Sequence, residues 1–285
     1  MTCEGEPILT WIDSNGQETT LIEPNGFTVL TGALGLGAVP VSLEMADRLS
    51  SDGSVLAGRR SPHRNVVLPL FIEDETRVLN VEAQAAEMFY GPGTLRRDDG
   101  TTVRELTEVV YETGLAGNDD ADIMGPTWAK VVVSLLALDP WWYGQERTVA
   151  FEFGVNYDFD ANEDFDANIP FDGRVATSTT VFGDAEAFPV TTLSGPFTTA
   201  DVGFTGGKSF SIADPLADGH TIVVDTRPGN RGPRKNGGPI DWSLLTPESR
   251  LWTLPPGVSR LTAATTGEDG GSFVELSYRE RHRTP

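Results

Sequence analysis

In the run VVLPLFI, Val66, Leu68, Leu70 and Ile72 occupy alternate positions, the period that places side chains on one face of a strand. The stretch SFVELSYRE repeats the pattern, with Val274, Leu276 and Tyr278 alternating with Glu275, Ser277 and Arg279, and it predicts a strand with one face buried. Pro69 brings no backbone donor to the first run, so an edge strand or a bulge is expected there. One stretch carries the helical period instead. Val81, Ala85, Met88 and Phe89 share a face, Asn80 stands in a capping position, Glu82 suits the first turn, and Gly91-Pro92-Gly93 ends the helix.

The pieces ILTWID and FTVLTG also read as strands, separated by turns at Ser14-Asn15-Gly16 and Glu23-Pro24-Asn25-Gly26 and followed by the Gly-rich GALGLGAVP. VRELTEVVYE and TWAKVVVSLLAL continue the first half, the second apolar enough to lie deep in a sheet and ending on Leu138-Asp139-Pro140-Trp141-Trp142-Tyr143-Gly144. After TVAFEFG no helical period recurs. TTVFG, FPVTTLSG, KSFSIAD, HTIVVDT, RLWTL and SRLTAAT are short strand-like runs punctuated by Gly, Pro and Asp, which predicts an antiparallel β-sandwich. A chain of 285 residues exceeds one ordinary domain, so two are expected, 1–145 carrying the helix and 146–285 mainly β with an acidic linker over 155–173. The 31 glycines and 19 prolines suit a mainly β protein of many turns rather than a helical one.

The net charge of −21 and a pI near 4.4 repel nucleic acid, and no basic patch in the body of the chain offsets this. The two basic clusters, Arg227 to Lys235 and Arg279 to Arg283, read as a solvated loop and a tail paired with the protein's own acids. Cys3 is the sole cysteine, which excludes an intrachain disulfide and a Cys-rich zinc site. MTCEGEPILTWID lacks the basic and apolar regions of a secretory signal, and VVVSLLAL is too short to cross a bilayer. Synthesis and folding in a cytoplasm, without membrane insertion, are the expectation.

Residues 157 to 173 read YDFDANEDFDANIPFDG, with Phe-Asp repeated every six residues. Asp158-Phe-Asp160-Ala-Asn162 and Asp164-Phe-Asp166-Ala-Asn168 each open like a calcium loop, but a helix–loop–helix site needs Gly at position six and Glu at position twelve. The first copy offers Glu163 and Ile169 there, the second Ile169 and Val175, so both fail. The reading adopted is a hydrated connector: in an extended chain Phe159, Phe165 and Phe171 project to one side and anchor it, while the carboxylates stay in water. An irregular calcium site built from Asp158, Asp160, Asp164 and Asp166 is the alternative; no other metal or cofactor is expected.

Other motifs miss. Val202-Gly-Phe-Thr-Gly-Gly-Lys208-Ser209 departs from a phosphate-binding loop because Gly203 is one position too close and a strand, not a helix, follows. There is no G-x-S-x-G and no H-E-x-x-H, the three histidines His63, His220 and His282 are scattered, and no carboxylate pair stands out among 42 acids, so no catalysis is expected. Trp141, Trp142 and Tyr143, following a buried strand, suit packing in a core or domain seam, with an intersubunit contact as the second use of such aromatics.

The order of these features resembles a known family. VVLPLFI, one helix ending at Gly91-Pro92-Gly93, a buried strand closing on Leu138-Asp139-Pro140-Trp141-Trp142-Tyr143, Gly183-Asp184 before Phe188-Pro189-Val190, and Trp252-Thr-Leu254-Pro-Pro-Gly257 are similar to the distal tail proteins of long-tailed bacteriophages, also called phage minor tail proteins. The resemblance implies a mainly β fold, with an N-terminal β-sandwich-like domain carrying one helix and a C-terminal galectin-like antiparallel β-sandwich. It also implies a homo-hexameric ring at the virion tail tip, made in the bacterial host cytoplasm, that joins tail tube protein to tail-tip hub proteins while DNA passes through the lumen. Relatives often carry Asn shortly after the Pro-Gly turn, whereas Val258-Ser259 follows Gly257 here, a local departure. A carbohydrate-binding adhesin module of the virion, contacting host cell-wall glycans, is the rival reading, because a galectin-like sandwich can present aromatic and polar side chains to sugars.

Overall fold

The computed structural model describes residues 7–22, 26–49, 51–73, 78–115, 125–152, 174–204, 207–267 and 272–285. The chain forms two units, Met1–Gln145 with His282–Pro285, and Glu146–Arg281.

The first unit is built from β1 (Ile8–Ile12), β2 (Glu18–Thr20), β3 (Phe27–Val29), β4 (Ser42–Asp47), β5 (Ser54–Arg60), β6 (Arg64–Glu73), helix α1 (Val78–Tyr90), β7 (Gly93–Asp98), β8 (Val103–Thr113) and β9 (Trp128–Ala137), and from the start of β10 (Trp142–Glu152). Antiparallel pairing runs β2-β1-β7-β8 on one side and β8-β9-β6-β3 on the other. Strand β8 belongs to both. Its Glu105 lies opposite Tyr143 of β10, whereas from Val109 onward it pairs with β9. The change falls at Glu108, which has φ of 54°, and a bulge of this kind is how a strand bends from one layer to the next.

Val66, Leu68, Leu70 and Ile72 are all fully buried, as the alternation requires, and they meet Val133 and Leu135 of β9 and Phe89 of the helix in one core. Pro69 does not mark an edge or a bulge, contrary to the sequence reading, because β6 lies between β3 and β9 with unbroken register along β9. The Leu30 N–H donates to the Pro69 carbonyl at 2.7 Å just past the end of β3, so the missing donor falls where that neighbouring strand has stopped. The helix also begins earlier than its capping signal suggests. It starts at Val78, leaving Asn80 inside it, while Ala85 and Phe89 are buried and Met88 is half-buried on the same face. The Trp11 ring meets Phe89 edge-on at 4.9 Å and its indole N–H donates to the Met88 carbonyl at 2.9 Å, which ties β1 to α1.

The second unit contains the rest of β10, then β11 (Arg174–Val181), β12 (Val190–Ser194), β13 (Thr199–Phe204), β14 (Ser209–Ile212), β15 (Thr221–Asp225), β16 (Gly232–Lys235), β17 (Gly257–Thr266) and β18 (Phe273–His282). One sheet has the order β16-β15-β12-β18-β10 and the other β11-β17-β13-β14. Leu193, Ile222, Val224, Val274, Leu276 and Tyr278 of the first face Val202, Phe210, Ile212, Leu261 and Ala263 of the second across a single core, an antiparallel sandwich as expected. Two expectations fail locally. RLWTL is not a strand: Leu251 and Trp252 are buried by side-chain packing, and only Leu254 makes a bridge, to Ala187. Part of the basic cluster read as a solvated loop is strand β16, held to β15 with Val223 opposite Arg234 and Ile222 opposite Lys235.

Candidate assembly surface

Strands β4 and β5 pair only with each other among the described residues. Val41, Leu43 and Met45 recur at alternate positions and so share a face, and Met45 lies opposite Leu56 in the register. These side chains are 46–66% exposed, and Leu49 in the connecting loop is wholly exposed. An apolar hairpin with both faces open to water is an arm whose burial must come from elsewhere, because contiguous exposed apolar surface marks an interaction site.

The two roots of this arm are fixed by one buried cation. Arg64, at the start of β6, is 2% exposed, and its Nη1 donates to the carbonyls of Gly35 and Gly37 at 2.9 and 2.8 Å on the chain leading into β4. Its Nε and Nη2 donate to the Pro140 carbonyl at 3.0 and 2.6 Å, at the turn before β10. The guanidinium lies 5.4 Å from the centre of the Trp142 ring, whose own N–H donates to Gly37 at 3.2 Å. Burial lowers the Arg64 pKa to about 10, which leaves it charged at neutral pH. Gly35 is required at this root: it has φ of +79°, and a Cβ there would sit 1.9 Å from the Asn65 carbonyl oxygen. The Val39 N–H adds a bond of 2.8 Å to the Arg283 carbonyl. The arm is therefore exposed in its side chains but held at its root by hydrogen bonds to the backbone.

The sequence-predicted site residues fall in three places. Trp142 is fully buried in the first unit's core, which makes it a packing residue with no surface for a partner. Trp141 and Tyr143 are half-buried, and Asp139 receives the Trp141 N–H at 3.1 Å and the Tyr143 hydroxyl at 2.6 Å, closing the turn. Phe159, Phe165 and Phe171, with Asp158, Asp160, Asp164 and Asp166, lie outside the described residues. Among the described residues no three His, Cys, Asp or Glu side chains are grouped to hold a metal ion, and no helix is long and apolar enough to cross a membrane. The hairpin itself was missed by sequence reasoning. Its signal was the alternation of Val41, Leu43 and Met45, with Asp52-Gly53 before Val55 and Leu56, where Gly53 takes φ of +93°.

No protein-family model and no curated protein sequence matches the chain. Solved structures do. The SPP1 Dit protein, described as a paradigm of hub adsorption apparatus in Gram-positive infecting phages, aligns over 96% of this chain and 98% of its own with a TM-score of 0.65 at 14% identity. The chain has the Dit fold. A chain of the phage p2 baseplate in its activated conformation shares it, with a TM-score of 0.60 at 10% identity over 99% of this chain and 100% of that one in the strontium form. In the calcium form the corresponding values are 0.59, 9%, 98% and 100%.

Proposed function

We propose that this chain is a structural component of a long-tailed phage tail tip, where six copies close into a ring that joins the tail tube to the tail-tip hub. The observation that carries the reading is the rooted, apolar β4–β5 arm on a Dit-type first unit. In a closed ring each copy offers its arm to a neighbour and receives one, so every apolar face finds cover without open-ended growth. The fold shared with a phage hub protein and a phage baseplate chain supports the tail-tip setting. The role is adaptor rather than enzyme, and the net charge of −21 suits a ring through which DNA passes without sticking.

Mass in solution tests it. Light scattering on the purified chain should give six times the 30.7 kDa protomer mass, and negative-stain micrographs should show rings. A chain that stays monomeric at high protein concentration, and that antibodies fail to find at the junction of tube and tip in intact particles, would overturn the reading.

A further inference from the structure

The second unit carries a cleft of about 700 Å³ whose charged lining is of one sign, in a protein where acids outnumber bases 42 to 21. Lys208, Arg231 and Arg250 line it together with Trp242, and no Asp or Glu does. These three cations make no ion pair with any described residue. Instead the guanidiniums are aimed by backbone carbonyls: Arg231 donates to Leu251 at 3.3 Å, and Arg250 to Pro247 and Ser249 at 3.3 and 3.0 Å. The two guanidiniums are thus positioned, and none of the three cations has an ion-pair partner among the described residues, which suits a ligand that brings a negative group.

The walls are firm. Along the outer edge of β14, the N–H groups of Thr246 and Arg250 donate to the carbonyls of Ser211 and Ser209 at 3.0 and 2.8 Å, and the Ser249 hydroxyl accepts the Ser211 N–H at 2.9 Å. Trp242 opens a short 3₁₀ turn that Asp241 caps through the Ser243 N–H, with Leu244 buried beneath it. That anchoring leaves the indole 54% exposed beside the cations. An exposed aromatic face held in place is a platform for the C–H face of a sugar ring, and the cleft has the size of a small-ligand site rather than a polymer groove.

We infer that this cleft binds a saccharide bearing a negatively charged group, a phosphate or a carboxylate, with the ring on Trp242 and the charge among Lys208, Arg231 and Arg250. Such sugars are constituents of anionic surface polymers, so the inference adds a ligand to the second unit whether or not the first unit forms a ring. A long nucleic acid is disfavoured by the overall charge, whereas one charged sugar meets only the local field.

The test uses the full chain with four probes, glucose 6-phosphate, glucuronic acid, glucose and inorganic phosphate, followed by saturation-transfer NMR and calorimetry. Saturable binding of at least one charged sugar is expected, and comparison of the first two probes tells phosphate from carboxylate. Trp242→Ala and Lys208→Glu should each weaken it about tenfold while leaving the circular dichroism and melting temperature in place. The inference is overturned by the absence of saturable binding for both charged sugars, by equal binding of glucose, by equal binding of inorganic phosphate, or by affinity that neither substitution changes.

Discussion

Arg64 and Pro140, 76 residues apart, are joined by two hydrogen bonds from one guanidinium to one carbonyl. The same guanidinium satisfies Gly35 and Gly37, so a single side chain at the start of β6 closes both the root of the exposed hairpin and the turn into β10. Among the described residues it has no carboxylate partner; its charge is spread over carbonyl dipoles and the Trp142 ring. Replacing it with Met keeps the volume but strands buried carbonyls, and the expected loss is about 3 kcal/mol of stability in urea unfolding. Arg64→Lys should recover part of this, since an ammonium cannot reach the same set of carbonyls in a fork. Arg64 is protonated in both folded and unfolded chains below a pH of about 10, so the deficit of the Met variant should not change between pH 5 and 8.

The hairpin predicts a separation of assembly from folding. Leu43, Met45 and Leu56 are each more than half exposed, so changing all three to Ser should shift the stability of the isolated chain by about 0.5 kcal/mol or less per site. The same triple variant should lose the proposed oligomer and sediment as a 30.7 kDa species. An oligomer that survives the substitutions would place the contact elsewhere; a chain that no longer folds would show that the arm packs on its own unit.

These two elements mark what the sequence discloses and what it hides. Strands buried on one face announce themselves: Val66 to Ile72 and Val274 to Tyr278 are legible because water on one side and a core on the other select alternate residues. The two-sheet character of the second half followed from the density of such runs and their turns. The hairpin carries a weaker sign, the alternation of Val41, Leu43 and Met45, because no core disciplines it. Its apolar residues are exposed in the lone chain, so they carry the alternation without the burial that usually explains it. Pro69 and RLWTL failed for a related reason: whether a missing donor or an apolar run matters depends on where the neighbouring strand ends, which is a long-range fact. Arg64 carries no local signal, since nothing near it in sequence shows that three distant carbonyls converge on it. Of the cleft cations only Arg231 belongs to a cluster that reads as a solvated loop, and its grouping with Lys208 and Arg250 appears only when the edge of β14 and the Trp242 turn are brought together.

A smaller staple in the second unit predicts an asymmetry between partners. The Glu280 carboxylate is 6% exposed and accepts from the Arg147 guanidinium at 2.9 Å and the Phe182 backbone N–H at 3.0 Å. Arg147 is about half exposed and lies over the Phe182 ring, so water screens its side of the pair. Arg147→Ala should therefore cost less than about 1 kcal/mol. Glu280→Ala leaves the Phe182 backbone N–H without its acceptor and empties a buried site, and should cost about 2 kcal/mol. Urea midpoints of the two variants, at unchanged m-value, provide the comparison.

Three turn carboxylates should give the protein part of its acid sensitivity. Asp13 is held below the usual carboxylate range chiefly by the Gln17 backbone N–H, Asp99 by the Thr102 backbone N–H, and Asp241 by the Ser243 hydroxyl. A carboxylate whose folded pKa is depressed adds stability above the unfolded value of 3.8 and loses it as pH falls through the folded value. Asp99→Asn retains a side-chain acceptor but removes the titration, so its thermal midpoint should fall less steeply than that of the parent between pH 5 and pH 2. Parallel curves would assign the acid limb to other groups.

The acidic repeat yields the sharpest contrast between hydrated connector and metal site. A connector keeps its carboxylates in water and gains nothing specific from a divalent ion, so micromolar calcium should leave the melting temperature of the full chain where it was. A site assembled from Asp158, Asp160, Asp164 and Asp166 would bind calcium to the folded chain only, raising the midpoint with concentration as ligand linkage requires. Differential scanning calorimetry with and without calcium, repeated on Asp160→Asn and Asp166→Asn together, separates the two. The connector reading expects no calcium shift in either protein; an upward shift in the parent that disappears in the double variant would establish the repeat as a calcium ligand.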